Sequence, residues 1–497
     1  MALFTTSKEA REIMEEFRRK TSIRPNLWAR AALGYSLSLE AEPESGIYDS
    51  DGSEFPENVF FGDDAPVLLA LLRQRIGRQI KLNEVGSIIK PFVERGLRIF
   101  KKEFDRVNRR GDELILYLVK SCSDIAIEDN KLIVKQAELI KDNLLLTIEL
   151  GSEIKSRKAI KHYLNEPGSS PHIAIMGRNG TGKTRTGLSL IEKIYSSTPY
   201  PVPFLIFDYA KGDIAANKEF VEKTKPNIIS LPEKPIPLAP LYLLHKDDTA
   251  IHLAARRFRD TIRSVVRLGP IQSNRCLQLI TEAYRSLEGE TPNLSYLTQI
   301  AEERYEDEGI GPDSLLACLR EFTTFPLFRP VEESEEHNFF KSSHIIDIHR
   351  LPEDLRKLAV FLVLDRLYSE IMSWQDAPLD KEGNRKISLI IVIDEAHHYL
   401  PCKQTTLENM VREVRSKGVS IMLLSQSPDD FDQGRYNFAR EMGLAIIFSC
   451  VIEKPKMIES LLGGKINPHR LSQLGTGVAL TRVSGSNEPV EIEVWRP

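Results

Sequence analysis

An apolar run, residues 173–176, leads directly into the stretch Gly177-Arg178-Asn179-Gly180-Thr181-Gly182-Lys183-Thr184. The stretch has the complete G-x-x-x-x-G-K-S/T pattern of a phosphate-binding loop, and a helical pattern begins at Arg185. A buried strand, a glycine-rich loop and a helix thus follow one another, which is the context that this motif requires. A tight turn with an incidental lysine would not account for all three features. The pattern predicts that residues 177–185 bind a nucleoside triphosphate.

Each residue type in this loop suits a phosphate ligand. Glycines let backbone N–H groups approach the phosphate oxygens, and the N-terminus of the following helix adds partial positive charge. The ammonium group of Lys183 is expected to reach the β- and γ-phosphates, and the hydroxyl of Thr184 to hold Mg²⁺. The cofactors expected from the sequence are therefore ATP and Mg²⁺.

Size and composition are those of an ordinary globular chain with several domains. Its 497 residues exceed what one hydrophobic core usually supports, and 41% of them are hydrophobic. No apolar run approaches the ~20 residues that cross a bilayer, and the N-terminus lacks the apolar core of a signal peptide. The five cysteines are scattered, without a C-x-x-C pair or metal spacing. We expect a cytoplasmic protein without a membrane segment.

The distribution of charge says more than the net charge of −4. Twelve lysines and arginines stand against four acids between Arg73 and Arg110. A second basic cluster comprises Arg256, Arg257, Arg259, Arg263 and Arg267. Either cluster could face nucleic acid or form a solvated helix face, and the sequence alone leaves both interpretations open.

The first 110 residues carry helical patterns and predict an all-α N-terminal domain. Pro25, Pro66 and Pro91 stand where first helical turns are expected, since proline is well tolerated there. Residues 40–64 are rich in Asp, Glu, Ser, Gly and Pro and predict a loop. Residues 111–155 are expected to form a connector, in which residues 113–150 fit either short strands or one helix.

From residue 156 to residue 497, apolar strand-like runs alternate with helical patterns. Continuous apolar strands between helices predict a mainly parallel sheet covered on both faces. With the phosphate-binding loop, this is the α/β fold of a P-loop NTPase of the RecA/ASCE type. A helical insertion is expected at about residues 247–330, and residues 477–480 and 490–495 are expected to close the sheet as a pair of strands.

Polar residues follow several of these strands, at the ends where an open α/β sheet binds ligands. The apolar residues 390–393 end in Asp394 and Glu395, which is the Walker B pattern. Asp394 is expected to hold Mg²⁺ through water, and Glu395 to orient the attacking water or accept its proton. Gln426, after the next strand, could sense the γ-phosphate, place that water or simply cap its strand.

Other residues near these strand ends leave more than one interpretation open. Residues 208–212 close a strand and could contact the site or a neighbouring subunit. His397 and His398 lack a partner at metal spacing, so a surface or packing role is expected for them. Phosphoryl transfer often uses an arginine supplied by another subunit. Arg412 and Arg415 are candidates for it, with a solvated helix face as the alternative.

These motifs resemble the HerA/FtsK branch of the P-loop ATPases over most of residues 150–497. The resemblance rests on residues 393–397 (Ile-Asp-Glu-Ala-His), on residues 412–419 ahead of Leu-Ser-Gln at 424–426, and on the turn at residues 474–477. It implies a ring, usually a hexamer, that couples ATP hydrolysis to movement along double-stranded DNA. It also implies an active site shared between subunits, with Arg415 acting on the neighbour's nucleotide. The small β-barrel usual in HerA is not evident here.

Residues 1–110 resemble DndE, a small helical protein of DNA phosphorothioate modification systems. Two segments carry this resemblance, residues 24–34 (Arg-Pro-Asn-Leu-Trp-Ala-Arg-Ala-Ala-Leu-Gly) and residues 93–97 (Val-Glu-Arg-Gly-Leu). The family is associated with DNA binding, which suits the basic stretch from Arg73 to Arg110. Fusion to a HerA/FtsK-like motor implies a bacterial DNA-modification or phage-defence system.

The leading functional hypothesis is a homo-hexameric ATPase that moves along double-stranded DNA. Its N-terminal module would load the motor on DNA or link it to a partner nuclease or to DNA-modification proteins. The alternative is a regulatory ATPase scaffold that controls such a partner without translocating. A third hypothesis, a packaging or conjugation-type motor, would need a partner in the membrane.

Overall fold

The computed structural model describes residues 2–21, 23–39, 43, 48–61, 65–76, 82–106, 111, 114, 118, 144–198, 202–243, 247–287, 290–331, 333–464, 466–482 and 488–495. The chain divides into two units, residues 1–138 and 139–497. The domain bounds at residues 110 and 155 stay a prediction, because most of the connector lies outside the described residues. Arg109, Arg110 and Cys122 lie outside them as well.

The N-terminal unit is mainly helical, as its sequence predicts. Its described helices are α1 (Lys8–Thr21), α2 (Pro25–Ser38), α3 (Glu57–Phe61), α4 (Ala65–Ile76) and α5 (Leu82–Arg106). Two short strands, β1 (Ala2–Thr5) and β2 (Glu54–Pro56), pair antiparallel beside them. The sequence did not indicate this pair, because each strand is too short to show a two-residue period. The core is aromatic, with the ring of Phe17 4.8 Å from that of Trp28 and 5.1 Å from that of Phe104.

Helix α5 differs from the expectation, because Pro91 lies inside it rather than in its first turn. Val85 and Ile89, ahead of the proline, are buried in the same core as Val93 behind it. The apolar face of the helix is therefore continuous across Pro91. Burial of that face outweighs the single backbone hydrogen bond that proline removes.

A sheet with eleven described strands organises the second unit. In order across the sheet the strands are β4 (Ala159–Tyr163), β3 (Thr147–Glu153), β13 (Val490–Glu493), β12 (Val478–Thr481), β11 (Met442–Ile447), β5 (His172–Met176), β10 (Val419–Ser425), β9 (Leu389–Ile393), β6 (Phe204–Asp208), β8 (His344–Asp347) and β7 (Asn227–Ser230). The strands from β11 to β7 are parallel, and those from β12 to β4 pair antiparallel on one side. The predicted closing pair is β12 and β13.

Parallel register brings the carboxyl ends of the central strands to one edge of the sheet. Ser425 at the end of β10 is in register with Met176 at the end of β5. Ile393 at the end of β9 is in register with Phe207 of β6 on its other side. The loops that follow these strands, which contain the phosphate-loop and Walker B motifs, therefore start side by side.

Helices cover both faces of the sheet. Those described in this unit are α6 (Lys183–Ser197), α7 (Lys218–Thr224), α8 (Asp248–Val265), α9 (Pro270–Ser286), α10 (Leu294–Asp307), α11 (Ser314–Thr324), α12 (Glu333–Lys341), α13 (Glu353–Ser373), α14 (Thr405–Glu413), α15 (Pro455–Leu462) and α16 (Pro468–Ser472). Alternate residues of β5 enter different hydrophobic clusters: Ile173 and Ile175 one, Ala174 and Met176 the other. Both faces are thus buried, as the continuous apolar strands predict.

Two regions bear on open points of the sequence. Helices α8 to α11 fill most of the predicted insertion at residues 247–330. Of residues 113–150, where strands and a helix were both possible, residues 144–150 are continuously described, and β3 begins there at Thr147. None of the described helices has both the length and the apolar character needed to cross a membrane.

Candidate functional site

The predicted phosphate loop connects the fully buried β5 to α6. The N–H of Gly177 donates to the carbonyl oxygen of Ser425 at 3.2 Å, and the N–H of Arg178 to that of Ser449 at 2.9 Å. The loop is therefore held by the end of β10 on one side and by the residues after β11 on the other. Its exposed residues are Arg178, Asn179 and Gly180.

Gly182, which directly precedes α6, is constrained in two ways. Its φ of 103° lies in the left-handed region that favours glycine. A Cβ at this position would also lie 2.2 Å from the indole ring of Trp495. The guanidinium of Arg185 lies 4.4 Å from the centroid of the same ring, in a cation–π contact. No sequence pattern indicates a role for Trp495, because the contact joins distant residues and belongs to no motif.

Lys183 and Thr184 are the first two residues of α6. Lys183 is only 5% exposed, and its Nζ lies 3.4 Å from the carbonyl oxygen of Arg178. An ammonium group has three donors, so this single long hydrogen bond leaves donors for phosphate oxygens. Thr184 is half-buried next to it.

Asp394, directly after β9, is a buried carboxyl with an unsatisfied oxygen. Its side chain is 5% exposed, and Oδ1 has no hydrogen-bond partner among the described residues. Burial and the negative charges of Glu395 and Asp208 raise the pKa of Asp394 to about 7, although Lys183 acts to lower it. An oxygen in this state suits a cation, which would satisfy the lone pairs and neutralise the charge.

Glu395 follows in a left-handed backbone conformation, with φ 49°. Its Oε2 lies 3.3 Å from Nδ1 of His397 and 3.4 Å from Nε2 of Gln426. Burial acts to raise the pKa of Glu395, but the close contact with His397, the charge of Lys183 and the hydrogen bond from Gln426 outweigh it and lower that pKa. The neighbouring residues thus hold Glu395 in place as an ionised carboxylate. The structure brings together Lys183, Asp394, Glu395 and Gln426, and the catalytic and ligand roles expected for them stay a prediction.

Acidic residues also end the next two strands. Burial raises the pKa of Asp208 to about 6, with a further contribution from the charge of Asp347, although the N–H groups of Ile214 and Ala215 donate to it. Asp347 accepts from Nδ1 of His349 at 2.6 Å. Both carboxyls are therefore engaged by their own loops. Sequence reasoning did not single out Asp347, although a carboxyl directly after an apolar run was an available signal.

His397 and His398 lie in a short 3₁₀ turn after Glu395. The ring of His398 stacks on that of Tyr209 at 4.2 Å, and the two histidine rings are 4.1 Å apart. These contacts agree with the packing role expected for them. The contact of His397 with Glu395 had not been foreseen, because it depends on the turn between them.

Arg412 and Arg415 lie at the opposite edge of the sheet. They line a cavity of about 450 Å³ together with Pro171 and Ile387, which precede β5 and β9. The seven residues of β10 separate this edge from Gln426, which at ~3.3 Å per residue is about 23 Å. Both arginines are exposed and have no ion pair within the described part of the chain. The structure therefore does not bring Arg415 to the catalytic candidates of its own chain.

Comparison with known families identifies the N-terminal region. Residues 4–108 match the family model described as DNA sulphur modification protein DndE, which confirms the predicted DndE-like region. The crystal structure of DndE from Escherichia coli B7A, involved in DNA phosphorothioation modification, is 20% identical. The alignment covers 19% of this chain and 92% of that chain, with a TM-score of 0.18.

Solved structures resemble a larger part of the chain. VirB4 of Thermoanaerobacter pseudethanolicus aligns with a TM-score of 0.56 and 16% identity, over 70% of this chain and 96% of that chain. The plasmid coupling protein TrwB in complex with ADP and Mg²⁺ aligns with a TM-score of 0.46 and 14% identity, over 65% and 85% of the two chains. The comparison with curated proteins found no match. At this identity the likeness to VirB4 shows the fold alone, and it confirms the predicted α/β fold of a P-loop NTPase.

Proposed function

We propose that this chain is an ATPase that hydrolyses ATP with Mg²⁺. The observation that carries the proposal is the state of Asp394, a buried carboxyl with an unsatisfied oxygen beside Lys183 and Glu395. Asp394 follows β9, and only β10 lies between β9 and β5, the strand that leads into the phosphate loop. A carboxyl that suits a cation therefore lies beside a phosphate-binding loop that contains a buried lysine.

Each residue of the site would have a distinct role in ATP hydrolysis. Backbone N–H groups of the loop and Lys183 hold the phosphates, and Thr184 and Asp394 hold Mg²⁺. When bound, Mg²⁺ supplies positive charge that offsets the negative charge of the phosphate oxygens. Glu395, an ionised carboxylate in a defined position, orients a water molecule and accepts its proton. Gln426 fixes the carboxylate of Glu395 through the 3.4 Å contact, so it acts as a positioning residue.

We further propose that the site is completed by Arg415 of a neighbouring copy in a homo-hexamer. Arg415 is exposed, lacks an ion pair among the described residues and lies about 23 Å from its own Gln426 along β10. An arginine of this kind can stabilise the charge that develops on the γ-phosphate of another subunit.

The substrate that we propose for the ring is double-stranded DNA, along which it would translocate. The match of residues 4–108 to the DndE family supports a link to DNA modification, and the basic clusters supply charge for phosphate contacts. A role in a bacterial DNA-modification or phage-defence system, with a partner nuclease or modification protein, follows from that link by association.

The test compares ATP hydrolysis with and without long duplex DNA, and measures ATP-driven displacement of a triplex-forming strand. Glu395→Gln is the inactive variant, and Glu459→Gln, at an exposed position on α15, is the matched control. We expect stimulation by duplex and strand displacement in the wild type and in the control. Mass measurement with and without ATP tests the hexamer.

ATP hydrolysis that duplex DNA does not stimulate, without displacement, would refute the motor and favour the regulatory scaffold. An absence of hydrolysis under every condition would refute the ATPase itself.

A further inference from the structure

A cavity of about 550 Å³ lies between α8, α13 and the start of α14. Five cationic residues line it, Arg256, Arg257, Arg263, Lys403 and Arg435. Among the described lining residues Asp260 is the only acid. Nothing in the proposed ATPase site uses this cavity.

Helix α8 holds part of the cluster in a fixed position. Its residues Ala255, Phe258 and Ile262 are buried, and Arg256 and Arg263 are exposed. Seven residues of α-helix rise about 10.5 Å in two turns, so these two guanidinium groups emerge from one face of the helix. Because its other face is part of the core, α8 cannot rotate to turn them away.

The charges of the cavity are largely uncompensated. Asp260 is paired with Arg259 at 2.6 Å, and Arg435 is paired with Glu408 at 2.8 Å. In contrast, Arg256, Arg263 and Lys403 have no ion pair within the described part of the chain. Other cations of this unit are paired with an acid four residues away, such as Arg304 with Glu308 and Lys357 with Glu353. The cluster therefore concentrates at one cavity three cations that are free for an anionic partner.

A buried hydrogen-bond network joins the three elements that form the cavity. Asp365 of α13 is buried, and its carboxyl accepts hydrogen bonds from Thr261 of α8 and from Gln404 and Thr406 at the start of α14. Both carboxyl oxygens of Asp365 are thereby occupied, and Asp365 does not line the cavity itself, although the charge of Arg257 acts to lower its pKa. The N-terminus of α14 adds partial positive charge at the same place.

We propose that this cavity binds the phosphodiester backbone of DNA. The inference rests on the proposed DNA-directed function and assigns its contact site. Exposed, unpaired cations in an open cavity suit a chain of phosphates, since a strand of B-form DNA passes about three phosphates in 10.5 Å of axial rise. Small-molecule sites are instead enclosed and mostly apolar. Contacts of this kind fix position without reading base sequence.

The experiment uses the full chain and a fluorescently labelled duplex, with anisotropy measured from 50 to 200 mM salt. The test variant is Arg256→Gln/Arg263→Gln/Lys403→Gln. The matched control, Arg285→Gln/Arg304→Gln/Arg320→Gln, removes the same charge from α9, α10 and α11, away from the cavity. We expect the test variant to lose at least about tenfold in affinity and up to about 2.7 in the slope of log K against log salt. The control should stay within about twofold, and ATP hydrolysis without DNA should stay unchanged in both.

The outcomes separate this inference from the proposed function. Wild-type affinity and slope in the test variant would overturn the cavity as the DNA site and leave the ATPase intact. Equal losses in test and control would overturn it too, since net charge alone would then explain binding. A wild type that does not bind duplex overturns the DNA-directed function together with the inference. If the triple variant loses its unstimulated hydrolysis, Lys403→Gln alone decides, with an expected slope change of about 0.9.

Discussion

Replacing Asp394 by asparagine is expected to stabilise the protein at alkaline pH when Mg²⁺ and nucleotide are absent. An unfolded chain releases the Asp proton near pH 3.9, whereas the folded protein holds it to about pH 7. The folded state thus binds the extra proton between these values. The stabilisation by this proton is full below about pH 4 and is lost progressively as the pH rises from 4 through 7. A difference of about three pH units at 1.36 kcal/mol each makes the ionised carboxyl cost up to about 4 kcal/mol at pH 8.

Asparagine has the same shape and no charge, but its amide leaves a buried polar group unpaired, at about 1–3 kcal/mol. At pH 8 the variant should therefore be more stable than the wild type by about 1–3 kcal/mol. At pH 5 the wild type has lost only about 1.5 kcal/mol in this way, because about one of the three pH units has been crossed, so the variant should be about as stable as the wild type or up to about 1.5 kcal/mol less stable. In Mg²⁺ and ATP the order should reverse, because ligand binding stabilises the wild type.

The assay is urea unfolding in a chelator at pH 5 and pH 8. Asp380→Asn is the control, because Asp380 is also buried but hydrogen bonds from Asn384 and Leu144 lower its pKa in spite of burial. The ionised form of Asp380 stabilises the fold, so this control should lose stability at pH 8. A change in stability for Asp394→Asn that is the same at both pH values would refute the reasoning.

Three further substitutions test the site. Glu395→Gln should lower the hydrolysis rate by at least about 10²-fold and keep ATP affinity within about threefold, and lost binding would argue against its role as base. Arg415→Ala should lower hydrolysis by about 10³-fold, and mixing it with Lys183→Ala should restore activity, because a mixed ring contains sites with both intact residues. A mixture without recovery would contradict a shared site. Gly182→Ala should lower the free energy of unfolding by about 1–3 kcal/mol through backbone strain and contact with Trp495. Adding Trp495→Ala should recover only the steric part, and unaltered stability of the single variant would refute both causes.

The sequence predicts local structure well where a motif and a buried strand coincide. Asp394 and Gln426 each directly follow a strand and the phosphate loop directly follows β5, and the end of a parallel strand fixes where its next residue lies. The order of strands did not follow from the sequence. Hydrogen bonding between β10 and both β5 and β9 is a long-range property, and it decides that Gln426 lies next to Glu395.

What the sequence missed depends on tertiary contacts. Trp495 reaches the phosphate loop only because β13 pairs with β12 at the antiparallel side of the sheet. Pro91 lies inside a helix because the core on both sides of it is continuous. The histidine beside Glu395 depends on the tight turn that follows β9. None of these leaves a periodic pattern, since each is decided by what packs nearby in space.

Strand β10 ends at the catalytic candidates and begins at the edge that carries Arg415. It pairs with β5 on one side over residues 422–425 and with β9 on the other over residues 419–423. A shift of β10 along its own axis would break the hydrogen bonds to both neighbouring strands at once, so the strand is held rigidly in place. We therefore expect a displacement at Gln426 to reach the edge that carries Arg415 by a rigid-body rotation of the whole sheet. If the chains form the proposed ring, a change at one nucleotide site would reach the next subunit through rotation of the whole sheet. The seven residues of β10 span the distance between the Gln426 edge and the Arg415 edge of each sheet.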